Sequence, residues 1–448
     1  MTNETFTIGP SVNSSLAAST SGGVLDQVEK CLERIGDPNG EGKLTFRKVW
    51  ADGARAVARS IDALQRHDYR LSQIAGMPIS VKDLFDVKGE RTQAASRVRD
   101  DALPAEKDAI VVRRLKQAGA VLVGSTNMTE FAYSVVGINQ SFGTPGNPWD
   151  RKRIPGGSSS GAAVSVADGM ALGAIGSDTI GSIRVPAALC GVVGFKPTQR
   201  RVPLDGSIPL SPSLDSIGPI ANSVSQCAAL FSVISGEPAQ TNPRSNVAGL
   251  RLAIPQGFLV EGLDQQVGRS FDHACAKLSS AGVLISDANL PILNEVHASQ
   301  GNRIIQSAEA YAWHRDLLET YGHLYDPNIR KRIAAGSAID TSSYLTAIGR
   351  RRDLIRAYDN LARSYDALIL PTVAIVPPTL ENASANEDHV RTLLLRNTAL
   401  FNFLDCCAIS IPIHEKGAAP VGLMIVGRMN KDWPLLTMAE AIERTLLP

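Results

Sequence analysis

Histidine is scarce in this chain and poorly placed for chemistry. The seven histidines, at positions 67, 273, 297, 314, 323, 389 and 414, fall in no motif, and the G-x-S-x-G elbow that presents a nucleophile to a histidine base is missing around both Ser158 and Ser182, the serines singled out below. That disfavours a Ser-His-Asp hydrolase. The six cysteines, at 31, 190, 227, 275, 406 and 407, have neither zinc-ligand spacing nor the pattern of a disulfide framework, so a reduced cytosolic protein without a metal is expected, with Cys406-Cys407 read as packing. Charge of one sign is lacking too: 45 basic against 44 acidic side chains leave +1, which points to neither nucleic acid nor a membrane surface as partner. No run of eighteen apolar residues free of charge occurs, which argues against a spanning helix. The opening MTNETFTIGPSVNSSLAAS lacks the basic n-region and apolar core of a secretory signal. The G-x-x-x-x-G-K-[ST] pattern of a phosphate-cradling loop is missing, and no internal repeat is found.

Small residues, by contrast, are concentrated in one place. In residues 155–198, PGGSSSGAAVSVADGMALGAIGSDTIGSIRVPAALCGVVGFKPT, glycines and serines interrupt an otherwise apolar segment. Pro155, Gly156 and Gly157 end the preceding structure, Ser158 to Ser160 crowd three hydroxyls together, and Ala162, Ala163, Val164, Val166 and Ala167 predict a buried helix. A second cluster, Gly176-Ser177-Asp178-Thr179-Ile180-Gly181-Ser182, follows after one helix-plus-strand length and places another serine on a tight turn. Taken singly, Ser158 reads as a helix cap and Ser182 as a turn residue. Taken together, two serine turns with glycine-exposed backbone N–H groups beside the second suit a nucleophile next to an oxyanion hole.

This stretch resembles the amidase signature family, whose hallmark is a GGSS(G/S)G run followed at this spacing by D-x-G-G-S-x-R-x-P-A. The match runs from the LSQIAGMPISVKD segment to the C-terminus and is strongest through residue 219. The resemblance implies an α/β fold, a single α/β/α sandwich domain with a large mixed central sheet. It also implies a Ser-cisSer-Lys triad, with Ser182 as nucleophile, Ser158 following a cis bond as relay, and Lys82 as base. Backbone N–H groups of Thr179, Ile180, Gly181 and Ser182 would form the oxyanion hole, Asp178 would support the loop, and Asn127, Met128 and Arg184 are candidate substrate contacts, Arg184 alternatively holding the loop. No cofactor is implied, the expected partner is a small molecule, and a homodimer is compatible with the family.

The implied activity is hydrolysis of a C–N bond with release of ammonia from a small, carboxylate-bearing substrate. One position departs from the pattern: Ile180 stands where the family usually has the first glycine of G-G-S. A β-branched residue is ill suited to φ > 0, and its side chain takes up space where substrate would lie. Some family members deaminate amino-substituted unsaturated acids of the aminomuconate type, so deamination is the alternative. Weaker ones are a role within a multisubunit amidotransferase and a non-catalytic binding role.

Along the chain, residues 1–75 read as an N-terminal helical region, 76–235 as the signature core, and 236–448 as a variable half that shapes the pocket and completes the same domain. Residues 1–22 read as surface or flexible. Met77 to Lys82 predicts a buried strand, where desolvation would lower the lysine pKa and make it a base. Asp108 to Ala118 predicts an amphipathic helix and Ala120 to Gly124 a strand, an alternation that favours parallel pairing. Asn127 and Glu130 read as structural hydrogen-bonders and Arg151-Lys152-Arg153 as a solvated face. Beyond a polar linker at 236–246, strands are expected at 250–254, 283–286 and 367–372, helices over 300–365, and a mobile Pro/Asn/Ala-rich loop at 376–388. Tyr311, Trp313, Tyr344 and Arg350 to Arg352 are candidate pocket residues there.

Overall fold

The computed structural model describes residues 22–240 and 246–446. The opening segment up to residue 21 and the middle of the 236–246 linker lie outside the described residues.

Eleven strands form one mixed sheet among the described residues: β1 (Phe46–Val49), β2 (Pro78–Lys82), β3 (Val121–Thr126), β4 (Gly173–Asp178), β5 (Val193–Lys196), β6 (Ser216–Ala221), β7 (Arg251–Pro255), β8 (Leu284–Ala288), β9 (Ala367–Pro371), β10 (Ala408–Pro412) and β11 (Gly422–Val426). Their order is β1-β3-β2-β4-β6-β5-β10-β11-β9-β7-β8. Strand β2 pairs parallel with both β3 and β4, whereas β4–β6, β6–β5, β5–β10, β10–β11 and β11–β9 are antiparallel. The sheet therefore runs without interruption from the signature core into the C-terminal half. Central strands are buried along their length, as expected where both faces are covered by helices, while the edge strand β8 keeps exposed positions.

The period-2 alternation of β2 decides where its lysine goes. Ile79 and Val81 enter the large core on one face of the sheet, with Leu115 of the 110–117 helix and Phe231 of the 224–235 helix. Ser80 and Lys82 consequently turn to the other face, where Ser80 Oγ meets Ser165 Oγ of the Ser160–Ala167 helix at 2.8 Å. That helix and the Arg184–Cys190 helix pack with Ala174 and Ile220 in a separate apolar cluster on the same side. The Lys82 side of β2 and the serine-bearing helix thus share one face.

Two sequence expectations are corrected. The N-terminal region is not wholly helical: β1 lies between the Val24–Gly36 and Ala51–Arg66 helices and forms the sheet edge against β3. Residues 376–388 are not a bare loop: Leu380–Ala385 and Glu387–Leu395 are helices, the first capped by Thr379 Oγ1, which accepts from Asn382 N–H at 3.2 Å. Their apolar residues Ala383, Val390 and Leu394 are buried against Val185 and Leu189.

Gly161 shows how closely the serine helix is seated. A Cβ at this position would lie 2.5 Å from Thr45 O and 2.7 Å from Asn127 O, both backbone atoms that cannot rotate away. Gly161→Ala should therefore cost roughly 1–3 kcal/mol through overpacking, measured as a lower denaturant midpoint with an unchanged m-value. An unaltered midpoint would contradict the tight seat.

Candidate active site

The Gly157-Ser158 peptide bond is cis, as the sequence resemblance implied. Its two sides are held by the segment after β3: Gly157 N–H donates to Val135 O at 2.7 Å, and Thr129 N–H donates to Ser158 O at 3.1 Å. Ser158 Oγ accepts from Lys82 Nζ at 2.7 Å, and the same ammonium or amine reaches Ser177 Oγ at 2.8 Å. Lys82 and Ser158 are both inaccessible to solvent. Burial pushes the Lys82 pKa down to about 7, against the opposing pull of the Asp215 and Asp178 carboxylates. A lysine that is partly neutral near physiological pH can accept a proton, and its position at the end of a buried strand is what makes it so.

Ser182 lies on the turn after β4. Its backbone carbonyl accepts from Ser159 N–H at 3.2 Å, which ties the two serine turns together. Its Oγ takes no hydrogen bond within the described residues, so the direct Ser158–Ser182 hydroxyl contact expected for a closed relay is not made in this conformation. The N–H groups of Thr179, Ile180 and Ser182 likewise bond no acceptor among the described residues. Gly181 is different and corrects one expectation: its N–H is occupied, donating to Asp178 Oδ1 at 2.8 Å.

Asp178 organises the turn. Besides Gly181, its carboxylate accepts from Ile183 N–H at 3.2 Å, from Arg184 Nε and Nη2 at 3.0 Å each, and from Asn402 Nδ2 at 2.8 Å. Burial alone would raise its pKa, but the Arg184 guanidinium outweighs that and holds the carboxyl at about 2. Arg184 is itself fully buried, with further bonds to Asn402 Oδ1 at 2.5 Å and Thr398 O at 3.3 Å. This corrects its candidate role as a substrate contact, because every direction of its fork is filled by the chain. Arg184 is loop support.

Asn127 and Met128 are also turned inward. The Asn127 amide donates to Leu44 O and Gly143 O, both at 2.9 Å, and its side-chain oxygen accepts from Met128 N–H; Met128 is fully buried in the large apolar core. Their side chains brace the wall of the site. Glu130 accepts from Ser96 Oγ at 2.7 Å and Asp326 N–H at 2.8 Å, a structural hydrogen-bonder as read from the sequence.

Ile180 departs from the family motif without the expected backbone penalty. The left-handed conformation falls on the following Gly181, at φ 143°, and Ile180 is not among the residues with positive φ. A Cβ on Gly181 would collide with Thr398 Oγ1, and that hydroxyl donates to Ile180 O at 2.7 Å. The turn thus needs its second glycine and tolerates isoleucine in place of the first. The Ile180 side chain is 6% exposed and belongs to none of the apolar clusters.

Several residues of the site carried no role in the sequence reading. Ser177 shares Lys82, Asp215 accepts from Thr179 Oγ1 at 2.5 Å, and Thr398 and Asn402 arrive from the C-terminal half. Ser177 lay inside the glycine-serine cluster, where the alternation of β4 was its signal. Of the pocket candidates, Tyr344 Oη donates to Glu309 Oε1 at 2.7 Å, Arg351 Nε donates to Phe403 O at 2.8 Å, and Arg350 pairs with Glu295 at 2.5 Å, all structural bonds.

The Asp178–Arg184 pair makes a direct prediction. Arg184→Leu would leave a buried carboxylate without its counter-charge, which should cost about 3–5 kcal/mol in chemical denaturation. The depressed pKa of Asp178 also sets a direction: its contribution to stability is present above the ordinary carboxylate pKa and is lost as pH falls through about 2. A variant as stable as the parent would show that the pair does not hold the turn.

A family model described as Amidase matches residues 26–436. The chain is 34% identical to 2-amino-5-chloromuconic acid deaminase of Comamonas testosteroni, covering 90% of this chain and 89% of that protein. It is also 34% identical to a glutamyl-tRNA(Gln) amidotransferase subunit of Moorella thermoacetica, covering 88% of each chain. Among solved structures, an amidase superposes with a TM-score of 0.85 at 31% identity, over 95% of this chain and 97% of that one. The mixed eleven-stranded sheet, the paired serine turns and the match along nearly the whole length lead to one assignment: the chain belongs to the amidase signature family, whose members hydrolyse C–N bonds other than peptide bonds.

Proposed function

We propose that the protein is an amidase-type hydrolase that releases ammonia from a small carboxylate-bearing substrate, with Lys82, Ser158 and Ser182 as its catalytic triad. The observation that carries this reading is the 2.7 Å bond between Ser158 Oγ and a solvent-excluded Lys82 whose pKa is pulled to about 7. Ser182 Oγ attacks the acyl carbon while its proton passes through Ser158 to neutral Lys82; a rotation of the Ser182 side chain closes the relay. The tetrahedral oxyanion is met by the uncommitted N–H groups of Thr179, Ile180 and Ser182. The same relay then returns the proton to the leaving nitrogen, the C–N bond breaks, and ammonia departs. Water, deprotonated by the relay, attacks the acyl-serine ester and releases the acid with Ser182 restored.

A second reading is deamination of an amino-substituted unsaturated acid. The relative that acts as a 2-amino-5-chloromuconic acid deaminase supports it, as does Ile180, a bulky, nearly buried side chain on the Ser182 turn where the family motif has glycine. In the imine tautomer of such a substrate the electrophile is a C=N carbon. Water adds there as the Lys82 relay takes one of its protons and the imine nitrogen gains one; the carbinolamine so formed returns a proton from oxygen to nitrogen through the same relay, and the C–N bond breaks to leave a carbonyl group and ammonia.

Three outcomes test these readings. Alanine at Lys82, Ser158 or Ser182 should each lower turnover by several orders of magnitude, and the double and triple variants should be little worse than the worst single one, because parts of a relay fail together. Folded Ser182→Ala with near-normal turnover would remove the nucleophile assignment. The pH dependence follows from the Lys82 pKa: the base form exists above about pH 7, so kcat/KM should rise about tenfold per unit up to that point and then level off. A profile flat from pH 5 to 9 would contradict a lysine base. Ile180→Gly separates the two substrates: it should raise kcat/KM on simple amides and lower it on the aminomuconate-type acid by tens of fold. A proportional fall on both would give Ile180 a role in loop stability alone.

A further inference from the structure

One arginine of the C-terminal half makes no hydrogen bond among the described residues. Arg391 lies in the Glu387–Leu395 helix and is only partly exposed; its Nε is sealed from solvent and takes no hydrogen bond, and it forms no ion pair among the described residues. The neighbouring carboxylates are already engaged. Glu387 accepts from Ser134 Oγ at 3.0 Å, from Asn328 Nδ2 at 2.8 Å and from Arg332 Nη1 at 2.8 Å, while Asp388 pairs with Arg332 and is otherwise solvated, its side chain 85% exposed. An arginine whose Nε is buried and unbonded, whose two Nη groups make no hydrogen bond among the described residues, and on which Glu387 and Asp388 act only electrostatically keeps donors free for an acceptor that the chain does not supply.

Its surroundings connect it to the reacting serines. Val390 and Leu394, on the same helix, pack against Val185 and Leu189 of the helix that begins just after Ser182, and Thr398, one turn beyond the helix, holds Ile180 O. On the other side Arg391 acts electrostatically on Tyr133. Tyr133 sits in the segment that bonds both sides of the cis peptide, between Thr129 and Val135. Its hydroxyl is buried but loosely held, 3.3 Å from Ser307 Oγ and 3.5 Å from Arg332 O. A cation and a weakly committed hydroxyl therefore lie near each other, one on the helix packed against the Arg184–Cys190 helix and the other on the segment that holds the cis peptide.

We propose that Arg391, assisted by the Tyr133 hydroxyl, binds a carboxylate of the substrate and is the residue that makes this enzyme selective for acids over neutral amides. The inference deepens the reading of a carboxylate-bearing substrate and rests on it. It also replaces Arg184, whose fork is filled, as the source of that selectivity. A planar guanidinium matches a carboxylate with two parallel N–H···O bonds, and Tyr133 Oη would donate a third. The ligand class is a short acid or diacid whose carboxylate lies a few bonds from the C–N bond to be broken.

The test is equilibrium binding and does not depend on turnover. Malonate, succinate and cis,cis-muconate, each beside its own diamide, are titrated calorimetrically into the full chain and into Arg391→Gln, Arg391→Lys and Tyr133→Phe, with folding of each variant checked by circular dichroism. The unsubstituted chain should prefer at least one diacid over its diamide by about tenfold or more, the effect of a charge-assisted bidentate pair. Arg391→Gln should erase that preference, Arg391→Lys should keep part of it, and Tyr133→Phe should reduce it several-fold. A purely structural arginine would weaken diacid and diamide alike. No preference for any diacid, or a preference that survives in Arg391→Gln, overturns the proposal; if Arg391→Gln does not fold, Arg391→Lys and Tyr133→Phe decide, and an unchanged preference in both overturns it. Because Ser182→Ala can be titrated in the same way, failure of the triad reading and failure of this one are told apart.

Discussion

A single buried carboxylate holds the Ser182 turn in shape. Asp178 ends β4 and accepts from the backbone of Gly181 and Ile183, from the Arg184 fork and from Asn402. Removing such a group from water is costly unless each lone pair is satisfied, and here the partners come from both halves of the chain. The pair does more than offset its own desolvation. By drawing Gly181 N–H inward it sets the path of the turn, and the N–H groups of Thr179, Ile180 and Ser182 are left without acceptors among the described residues, beside the proposed nucleophile. The C-terminal half is therefore needed for the site to exist, which fits the one continuous sheet that joins the halves.

The same low-dielectric setting makes Lys82 useful. Alternation along β2 buries Ile79 and Val81 on one face and sends Ser80 and Lys82 to the other, beneath the serine helix. Two serine hydroxyls satisfy the amine without an adjacent counter-ion, so burial dominates and the pKa falls. A carboxylate in hydrogen-bond contact would have reversed the sign and made the residue a structural cation. Asp178 and Asp215 pull the pKa upward only from a distance, and Asp215 is itself raised to about 6 by burial. Polarity near Lys82 is thus graded.

Much of this site could be read from the chain, because its parts are local and chemically unusual. Ser158 and Ser182 stand in glycine-rich turns that apolar sequence does not otherwise tolerate, and a lysine ending the apolar run Met77 to Val81 marks a strand with a charge to hide. The cis bond and the Lys82–Ser158 contact agree with that reading. What escaped it acts at long range. Asn402 and Thr398 lie more than two hundred residues from the turn they support, and no local pattern reports a hydrogen bond of that span. Arg184 was open to two roles in sequence, and only the filled geometry of its guanidinium decides between them. The edge strand β1 has four residues between two strong helices, too few for alternation to declare itself. The helices at 380–395 were hidden by proline and asparagine nearby, although Thr379 as a cap and Glu387 and Asp388 in a first turn were their signals.

The central claim is that one serine, activated through a buried lysine, is the nucleophile. It is tested most directly by reaction with a fluorophosphonate, which bonds covalently to an activated serine oxygen and expels fluoride, followed by peptide mass spectrometry. The account requires a single adduct, on Ser182, formed at a rate that rises with pH through about 7 and is lost in Lys82→Ala. An adduct on a different serine, or labelling of Ser182 at an undiminished rate in Lys82→Ala, would contradict it.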